Sequence, residues 1–461
     1  MEKLIAFLTV LMTLPSYILS FFPTKIDKSF TIAGDGSSEN AITVNGDSVQ
    51  ATRTESEDGT IIFDLGVYSC KFFNYYGIKY TSDAYIEGEI TYKIKNENHS
   101  ENFYLEPSDT AACFYSFIDN ILDNKKSCKL IKIEFKPIDT QSANFELLGV
   151  GLFNREVPNR EIYIKSATYK LGVDLNYGGA MSYLEDLNSS VQAVKKDGRI
   201  YVDSNAAKRY KTVSISNHVN LINRYDPGRL VQQSYYGTAS GVYENSDFIG
   251  YTWRYNPVQG GNKYNETSKI VDLVVSKNSI YIKCRPLDWS LKAENITPSY
   301  MEATYTIDSD IINVSCRFVD FSGYESVTAE QEMPAFYCIE PFNRFVSISS
   351  DGEYTYQNDL GFWADPSVNS CFTSTANQAA FVGEFDDSFG IGIYVPDCTE
   401  FKAGVYNRGQ TEKCDPSSDE PTSYIAAINT LKFASFSPIE YSYCITTGTI
   451  DEIKDNFSAL K

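Results

Sequence analysis

The chain has 461 residues, which is longer than one hydrophobic core usually supports, so two domains are expected. Its formal net charge of −20 argues against a nucleic-acid or heparin binder, because such a protein needs a basic face to release counterions. Aromatic residues make up 14% of the sequence, with 34 Tyr and 28 Phe but only 3 Trp. This composition favours β-structure over helical bundles.

The first residues predict export. Residues 1–22 combine a short polar start with the apolar run LIAFLTVLMTLPSYILSFF and small residues near its end, which is the pattern of a signal peptide. A retained membrane anchor is the alternative, because the run approaches the length that spans a bilayer. We expect a secreted, monomeric protein without a stable membrane anchor, kept soluble by its acidic surface.

Sequons and cysteines also fit an extracellular protein. Asn-X-Ser/Thr sequons predict a glycoprotein and stand at Asn98, Asn188, Asn265, Asn295, Asn313 and Asn456. The 10 cysteines suit an oxidising compartment, and the pairs that close short loops are Cys113 with Cys128 and Cys398 with Cys414. Buried free thiols are the alternative. No cysteine spacing is of the zinc type, and we expect neither a metal nor another cofactor.

Residues 23–158 consist largely of short alternating runs separated by Gly, Asn, Asp and Ser. The runs are TIIFDLGVYSCKFF, AYIEGEITYKIK, NFYLEP, KLIKIEFKP and FELLGVGLF. Such alternation is typical of half-buried antiparallel strands. It predicts a β-sandwich of jelly-roll type, an architecture shared by many carbohydrate-binding modules.

The polar segment NREVPNRE, residues 154–161, is the predicted junction between two strand-rich regions. Beyond it the strands continue, with a Gly-Gly turn at Gly178 and Gly179 and a hairpin near Asp308 and Ser309. Only residues 451–460 look helical. About 300 residues of antiparallel strand exceed a simple sandwich. We therefore predict an all-β chain in which residues 159–461 form two large stacked sheets, a supersandwich.

The stretch from Asn217 to Gly237, NHVNLINRYDPGRLVQQSYYG, is dense in groups that bind ligands. Asp226-Pro227-Gly228 predicts a turn. Arg229 offers a planar fork of donors suited to a sugar carboxylate or a pair of hydroxyls. A turn cap at Asp226 and a salt bridge between it and Arg229 are the structural alternatives.

The strand that follows this turn has hydrogen-bonding groups on both faces. Gln232, Ser234 and Tyr236 share one face, whereas Gln233 and Tyr235 share the other. We expect one face to form a structural polar network and the other to contact a ligand.

Aromatic and polar residues further along the chain complete the predicted binding set. The tryptophans Trp253, Trp289 and Trp363 are candidate platforms for sugar rings, with core packing as the alternative. The candidate substrate-binding residues are Asp226, Arg229, Gln232, Gln233, Tyr235, Tyr236, Asn256, Gln259, Arg285, Trp289 and Trp363.

Chemistry at a glycosidic bond generally uses two carboxyl groups, one protonated and one ionised. Glu332 is the predicted acid, because the apolar residues after it in QEMPAF would desolvate its carboxyl group and favour the protonated form. Its predicted partner is Asp288, in RPLDW, followed by Glu302 and Asp226. The structural alternative for Glu332 is a surface glutamate, and the alternative for Asp288 is a structural Arg-Asp pair.

The sequence also contains the long motifs YKLGVDLNYGGAMSYL, NLINRYDPGRLVQQSYYG, YNPVQGG, RPLDW, FVDFSG, QEMPAFY and ITTGTIDEIK. Together they resemble a family of secreted proteins from fibre-degrading gut bacteria, soil bacteria and some protists, which occur with carbohydrate-active modules. The resemblance covers most of the chain from about Tyr85 and implies an oligo- or polysaccharide partner. A looser similarity is to the galactose-mutarotase-like supersandwich, which also houses catalytic domains of glycosidases and polysaccharide lyases.

Two details limit what these similarities imply. The mutarotase mechanism relies on two histidines, whereas this chain has only His99, in the first domain, and His218. FKAGVYNRG, residues 401–409, is similar to the FKAG motif of one alginate lyase family. The Arg-Thr-Glu motif of that family is matched only in the wrong domain, at residues 53–55, and its Gln-Ile-His motif is absent.

The sequence thus predicts a secreted carbohydrate-active protein and leaves three hypotheses open. The first is a glycoside hydrolase with Glu332 as general acid and Asp288 or Glu302 as base or nucleophile. The second is a non-catalytic glycan-binding or cell-surface protein.

The third hypothesis is a polysaccharide lyase that uses the same cleft. Arg229 and Gln232 would neutralise a uronate carboxylate, and Tyr235 or Tyr236 would act as the base. The acidic chain disfavours a uronate substrate.

Overall fold

The computed structural model describes residues 28–32, 41–44, 47–50, 52–55, 61–71, 74–94, 96–118, 127–140, 143–153, 155–156, 158–189, 192–196, 199–203, 215–216, 219–237, 247–248, 251–292, 296–357, 360, 370–383, 387–406 and 422–460. The chain divides into two compact units. Unit 1 comprises Met1–Asn159, Ile270–Val275 and Asp320–Gly323. Unit 2 comprises Arg160–Lys269, Ser276–Val319 and Tyr324–Lys461.

The N-terminal strands are β1 (Lys28–Ile32), β2 (Ala41–Val44), β3 (Asp47–Gln50), β4 (Thr52–Glu55), β5 (Ile61–Lys71), β6 (Tyr75–Ser82), β7 (Ile86–Ile94), β8 (Glu97–Leu105), β9 (Ser108–Phe117), β10 (Ser127–Pro137) and β11 (Phe145–Phe153). They form two antiparallel sheets. One runs in the order β3-β2-β1-β11-β6-β9 and the other in the order β4-β5-β10-β7-β8.

Aromatic side chains join these two sheets. Tyr76 of β6 and Phe114 of β9 meet Phe103 of β8, with ring centroids 5.9 and 5.4 Å apart, and Phe135 of β10 packs on Phe103 at 5.9 Å. All four rings are buried. Unit 1 is therefore a two-sheet β-sandwich, as the alternating sequence predicts.

The strands that follow are β12 (Glu161–Lys165), β13 (Tyr169–Asp174), β14 (Ala180–Asp186), β15 (Gln192–Lys196), β16 (Arg199–Asp203), β17 (Ile215–Ser216), β18 (Val231–Ser234), β19 (Asp247–Phe248), β20 (Tyr251–Thr252), β21 (Pro257–Val258), β22 (Lys269–Val275), β23 (Ser279–Arg285), β24 (Leu287–Asp288), β25 (Ser299–Asp308), β26 (Ile311–Asp320), β27 (Val327–Ile339), β28 (Phe342–Ile348), β29 (Tyr354–Gln357), β30 (Ser370–Thr373), β31 (Gln378–Gly383), β32 (Gly390–Tyr394), β33 (Glu400–Tyr406), β34 (Thr422–Phe433) and β35 (Ile439–Gly448). A 3-10 turn, Leu175–Tyr177, and helix α1 (Ile450–Ser458) complete the elements.

Two large antiparallel sheets make up most of unit 2. Sheet I runs β12-β13-β14-β18-β27-β34-β33-β30, with β21 paired to β18 and β24 paired to β21. Sheet II runs β23-β25-β26-β35-β32-β31-β28-β29. Short strands form two small sheets, β16-β15-β17 and β19-β20.

Sheets I and II are stacked face to face. The ring of Tyr235, which follows β18, stacks on Phe318 of β26 at 4.4 Å, and Gln233 donates to the backbone oxygen of Glu302 on β25. At another point the Tyr169 hydroxyl of β13 accepts from the N–H and from the hydroxyl of Thr447 on β35. The predicted supersandwich is confirmed.

Helix α1 closes the chain at sheet II. Thr449 caps its N-terminus in a capping box with Glu452. Ile450, Ile453 and Phe457 are buried in one apolar cluster with residues of β28 and β31. The helix predicted over residues 451–460 is thus present, and none of the described helices is long and apolar enough to span a bilayer.

The predicted Gly-Gly turn is confirmed, and one of its glycines is required. Gly178 and Gly179 have φ of 57° and 69°. A Cβ on Gly178 would lie 2.0 Å from the backbone oxygen of Gln259, so no larger residue fits there. Ser309 has φ of 53° at the predicted hairpin turn between β25 and β26.

The predicted short-loop disulfides are not formed. Cys113 is an exposed free thiol and Cys398 a buried one whose sulfur donates to the backbone oxygen of Glu400. The ladder places Cys128 of β10 opposite Cys70 of β5 instead. Residues 1–22 and the predicted residues His218, Asn295, Trp363 and Cys414 lie outside the described residues.

Candidate functional site

A cleft of about 560 Å³ opens on the outer face of sheet I, away from sheet II. It is lined by Asp226, Gly228, Arg229, Gln232, Ser234, Tyr236, Trp253, Arg254, Asn256, Val258, Trp289, Glu330, Glu332, Ala335, Tyr337, Lys402 and Ile428. A volume of this size is typical of sites that bury a small-molecule ligand. The cleft lies wholly within unit 2.

One strand irregularity places the central residues of the cleft. Glu332 of β27 pairs with Ile428 of β34, but the next registered pair is Ala335 with Ala426, so β27 contains an extra residue there. A regular strand would turn Glu332 to the face opposite Ala335 and Tyr337. The bulge turns all three toward the cleft.

Glu332 is the buried carboxylate of the cleft, with only 5% of its surface exposed. The Tyr236 hydroxyl donates to Oε2 at 2.8 Å, and the Lys402 ammonium lies 3.5 Å from Oε1. A phenol donor and a cation are partners of a carboxylate rather than of a carboxylic acid. The apolar surroundings expected from QEMPAF are therefore not what its carboxyl group meets, and the geometry favours a base or nucleophile over the predicted acid.

Tyr236 is held in place by its backbone. Its N–H donates to Gln331 Oε1, and Gln331 Nε2 donates back to its carbonyl. Burial first, and then the negative charge of Glu332, raise the pKa of Tyr236 well above its ordinary value. Tyr236 is thus a proton-bearing donor to Glu332, which disfavours its predicted alternative role as the base of a lyase.

The turn Asp226-Pro227-Gly228 forms one wall of the cleft. Asp226 Oδ1 accepts from the Gly228 N–H at 2.9 Å, and its backbone oxygen accepts from the Arg229 N–H at 3.1 Å. Arg229 lies 3.4 Å from Asp226 Oδ2. The predicted turn and salt bridge are both present, and both charged groups also face the cleft.

Two tryptophans contribute apolar walls. A Cβ on Gly228 would lie 2.5 Å from the Trp289 ring, so the turn packs closely on that indole. Trp253 donates from Nε1 to Asn256 Oδ1 at 3.1 Å. The guanidinium of Arg254 lies over the rings of Tyr236 and Trp253, at 5.3 and 5.8 Å.

The predicted amides Gln232 and Asn256 line the cleft as a structural frame. Gln232 donates to the Pro227 carbonyl and accepts from the Gly260 N–H. Asn256 Nδ2 donates to Ser234 Oγ and the Tyr235 carbonyl. These bonds tie the Asp226-Pro227-Gly228 turn and the loop at Gly260 to β18, so both amides shape the cleft.

Three predicted binding residues instead form the polar network on the inner face. Tyr235 donates to Gln233 Oε1, and burial raises the pKa of Tyr235 well above its ordinary value. The Gln233 N–H donates to Gln259 Oε1, and Gln259 Nε2 donates to the Gly178 carbonyl. The alternation of β18 thus separates a structural face from a cleft face, and Tyr235 is as poorly suited to act as a base as Tyr236.

The predicted partner Asp288 is fully buried behind the cleft and is not one of its lining residues. Its carboxylate accepts from the Asn256 N–H at 2.9 Å and from the N–H and hydroxyl of Ser290. Burial raises the pKa of Asp288, and these hydrogen bonds oppose the rise. Asp288 therefore anchors the backbone of Asn256, which lines the cleft.

Glu302 and Arg285 also lie outside the cleft lining. Glu302, on β25 of sheet II, contacts Lys283 at 3.1 Å, Arg317 at 3.5 Å and the Tyr281 hydroxyl at 3.0 Å. Burial acts to raise its pKa, but the two cations and the hydrogen bonds outweigh burial and lower it. Arg285 donates to the Thr297 carbonyl. Both residues have structural partners in place of a ligand.

Lys402 lines the cleft and contacts Glu332, and it was not predicted from the sequence. It stands on β33, two strands from Glu332, in the segment FKAGVY. The similarity of this segment to a lyase motif was the available signal, but nothing in the sequence pairs Lys402 with Glu332. Arg254 and Glu330 also line the cleft and were not predicted.

Among the described residues no group of three His, Cys, Asp or Glu is arranged to hold a metal ion. His99 lies in unit 1, where its ring stacks on Tyr92 at 5.7 Å.

No protein-family model and no curated protein matches the sequence. Solved structures match part of the chain. A protein assigned as an aldose 1-epimerase from Escherichia coli K12 is 10% identical, with a TM-score of 0.37, and the match covers 63% of this chain and 99% of that one. A galactose mutarotase related enzyme from Lactobacillus acidophilus is 9% identical, with a TM-score of 0.34, over 63% and 98% of the two chains.

The GH36 alpha-galactosidase AgaB from Geobacillus stearothermophilus is 10% identical, with a TM-score of 0.34. That match covers 63% of this chain and 40% of the galactosidase.

Proposed function

We propose that unit 2 binds a carbohydrate in the cleft of sheet I and hydrolyses a glycosidic bond with Glu332 as the ionised carboxylate. The observation that carries this proposal is the environment of Glu332. It is a buried carboxyl group held by Tyr236 and Lys402, in a cleft that two tryptophans also line. Aromatic walls with a few fixed polar groups suit a sugar ring, which has apolar faces and polar edges.

In this proposal Glu332 acts as base or nucleophile. The Tyr236 hydroxyl and the Lys402 ammonium hold its carboxyl group in one orientation, and Lys402 places a positive charge beside it. The proton for the leaving group comes from the second carboxyl group of the pair, which the cleft supplies as Asp226 or Glu330. This assignment replaces Asp288 and Glu302, whose carboxylates are engaged elsewhere.

A non-catalytic glycan-binding protein is the second candidate. The observation that favours it is the environment of the other two carboxyl groups of the cleft. Asp226 forms an ion pair with Arg229, and Glu330 is exposed. Neither carboxyl group has the buried, apolar surroundings that a general acid requires.

The deciding experiment begins with a panel of plant and microbial polysaccharides and aryl glycosides, assayed for reducing ends. Glu332→Gln is expected to lower turnover at least about a thousandfold while leaving glycan affinity within a few-fold. Asp226→Asn and Glu330→Gln show which residue is the acid. If Glu332 is a nucleophile, azide restores turnover to Glu332→Ala. An unchanged rate in Glu332→Gln would overturn the assignment.

Two other outcomes select the alternatives. Glycan binding by wild-type protein without any product over long incubation would establish the binding protein. An unsaturated product that absorbs in the ultraviolet would establish a lyase and overturn hydrolysis.

We also propose that the protein is secreted as a monomer after removal of residues 1–22. The apolar run at the start of the sequence supports export, and a polymeric glycan is met outside the cell. N-terminal sequencing of protein recovered from the medium tests the cleavage, and an uncleaved, membrane-bound product would contradict it. Sedimentation of the same sample tests the monomer.

A further inference from the structure

Two exposed tyrosines stand on loops that carry or contact residues lining the cleft. Tyr225 and Tyr264 each expose 47% of their surface, more than any other large hydrophobic side chain in the described residues. Tyr225 directly precedes the Asp226 turn, and Tyr264 follows the Gly260-Gly261 bend. We call these two side chains the tyrosine rim.

The two loops of the tyrosine rim pack on each other. A Cβ on Gly260 would lie 2.2 Å from the Pro227 carbonyl oxygen, and a Cβ on Gly261 would lie 3.3 Å from the Pro227 ring. The amide of Gln232 joins both loops, because it donates to Pro227 and accepts from Gly260. The rim therefore stands on one connected piece of structure.

Backbone hydrogen bonds connect the two loops that carry the tyrosine rim to the wall of the cleft. The Tyr225 N–H donates to the buried Asn223 side chain, and the Asn223 N–H donates to the carbonyl of Tyr337. On the other loop, the Lys263 N–H donates to the carbonyl of Trp289 at 3.0 Å. Tyr337 and Trp289 both line the cleft.

A cation also lies beside each ring. The Arg229 guanidinium lies 4.9 Å from the Tyr225 ring, and the Lys263 ammonium lies 5.1 Å from the Tyr264 ring. A ring that is already oriented loses less conformational entropy when a ligand stacks on it. Single exposed aromatics need no explanation, whereas two on loops that pack together beside a cleft offer faces on which sugar rings can stack.

From this arrangement we infer that the ligand is an oligosaccharide chain longer than the cleft, whose outer sugar residues stack on Tyr225 and Tyr264. This inference rests on the proposed function, since it extends the same site. The cleft, at about 560 Å³, has room for about two sugar rings. The rim supplies outer subsites that a monosaccharide or disaccharide does not reach.

The test is the dependence of affinity on chain length. Calorimetry would use ladders from the disaccharide to the hexasaccharide of β-1,4-glucan, β-1,4-xylan and β-1,4-mannan. Wild-type affinity is expected to rise with length in the ladder that binds. Tyr225→Ala combined with Tyr264→Ala is expected to weaken hexasaccharide binding about five- to tenfold and to leave the disaccharide unchanged.

Tyr356→Ala is the matched control. Tyr356 is also an exposed tyrosine, at 36%, with the Arg344 guanidinium 5.4 Å from its ring, but it lies on β29 of sheet II. This substitution is expected to change no affinity. Tyr225→Leu with Tyr264→Leu keeps apolar bulk without a flat ring and is expected to behave like the alanine pair.

Three results would overturn the inference while leaving the proposed function intact. They are affinity that is flat beyond the disaccharide, an equal loss for short and long chains in the rim variants, and a loss of the same size in Tyr356→Ala. Absence of binding by wild-type protein to every ladder would instead reject glycan binding of these three classes and the inference with it.

Discussion

The Tyr236 hydroxyl donates a hydrogen bond of 2.8 Å to Oε2 of Glu332. Both side chains are on the cleft face of sheet I, one following β18 and the other on β27. The two residues are 96 apart in sequence. Strand pairing brings them together, because Ser234 of β18 is registered with Glu332. The contact joins the polar residue that follows β18 to the buried carboxyl group.

Tyr236→Phe removes one donor from Glu332 and adds no bulk. We expect kcat on the identified glycan to fall about ten- to a hundredfold, because hydrogen bonds to a charged group contribute about 1.5–3 kcal/mol. Tyr235→Phe is the matched control on the inner face. It loses a hydrogen bond to Gln233 and is expected to lower the free energy of unfolding by about 1 kcal/mol with no change in kcat. Equal kcat values for the two variants would contradict the role of Tyr236.

Lys402→Gln removes the cation beside Glu332 but keeps a polar side chain. We expect kcat/KM to fall at least about tenfold, because a buried carboxylate loses its counter-charge. Lys432→Gln is the control, since Lys432 is an exposed lysine of the neighbouring strand β34 and not a lining residue. Steady-state kinetics of both variants in the same buffer would separate a local effect from a change in net charge.

Glu302→Gln tests the separation of the structural acid from the cleft. The pKa of Glu302 is lowered in the fold, so the native state binds fewer protons there than the unfolded state does. Its contribution to stability is therefore present above the unfolded carboxyl pKa and is lost as the pH falls through the lowered value.

We expect wild-type protein to be more stable than Glu302→Gln at neutral pH and the difference to shrink under acid conditions. Urea unfolding at a series of pH values measures this difference. The turnover of folded Glu302→Gln is expected to match wild type. A loss of turnover as large as that of Glu332→Gln would return Glu302 to the list of catalytic candidates.

Gly228→Ala tests the contact between the turn and Trp289. The new Cβ would lie 2.5 Å from the Trp289 ring, so the indole must move. We expect glycan affinity to fall several-fold, in parallel with Trp289→Ala, and the tryptophan emission to shift. Calorimetry and fluorescence measure these effects. Unchanged affinity in both variants would show that Trp289 does not contact the ligand.

Much of the fold follows from local sequence pattern. Alternating runs predict the strands, Gly178-Gly179 predicts a left-handed turn, and the last residues predict the helix. These features depend on neighbours within a few residues, so they can be predicted from the sequence. The same alternation divides Gln232, Ser234 and Tyr236 from Gln233 and Tyr235 before any partner is known.

The chemistry of the cleft depends on contacts between distant strands. Apolar neighbours in QEMPAF indicate a desolvated acid at Glu332, but the bulge in β27 turns it toward Lys402 and Tyr236 instead. A bulge and a strand register are set by packing across the whole sheet, which no local window contains.

The sequence by itself therefore determined the fold class, the turn at Asp226 and the division of β18 into two faces. Only the tertiary structure decided which face is the site, and it left Asp288 and Glu302 with structural partners. The physical reason is that alternation depends on backbone geometry alone, whereas burial and charge pairing depend on which strands become neighbours. Lys402 and Glu332 are 70 residues apart, and they meet only because β27, β34 and β33 lie side by side.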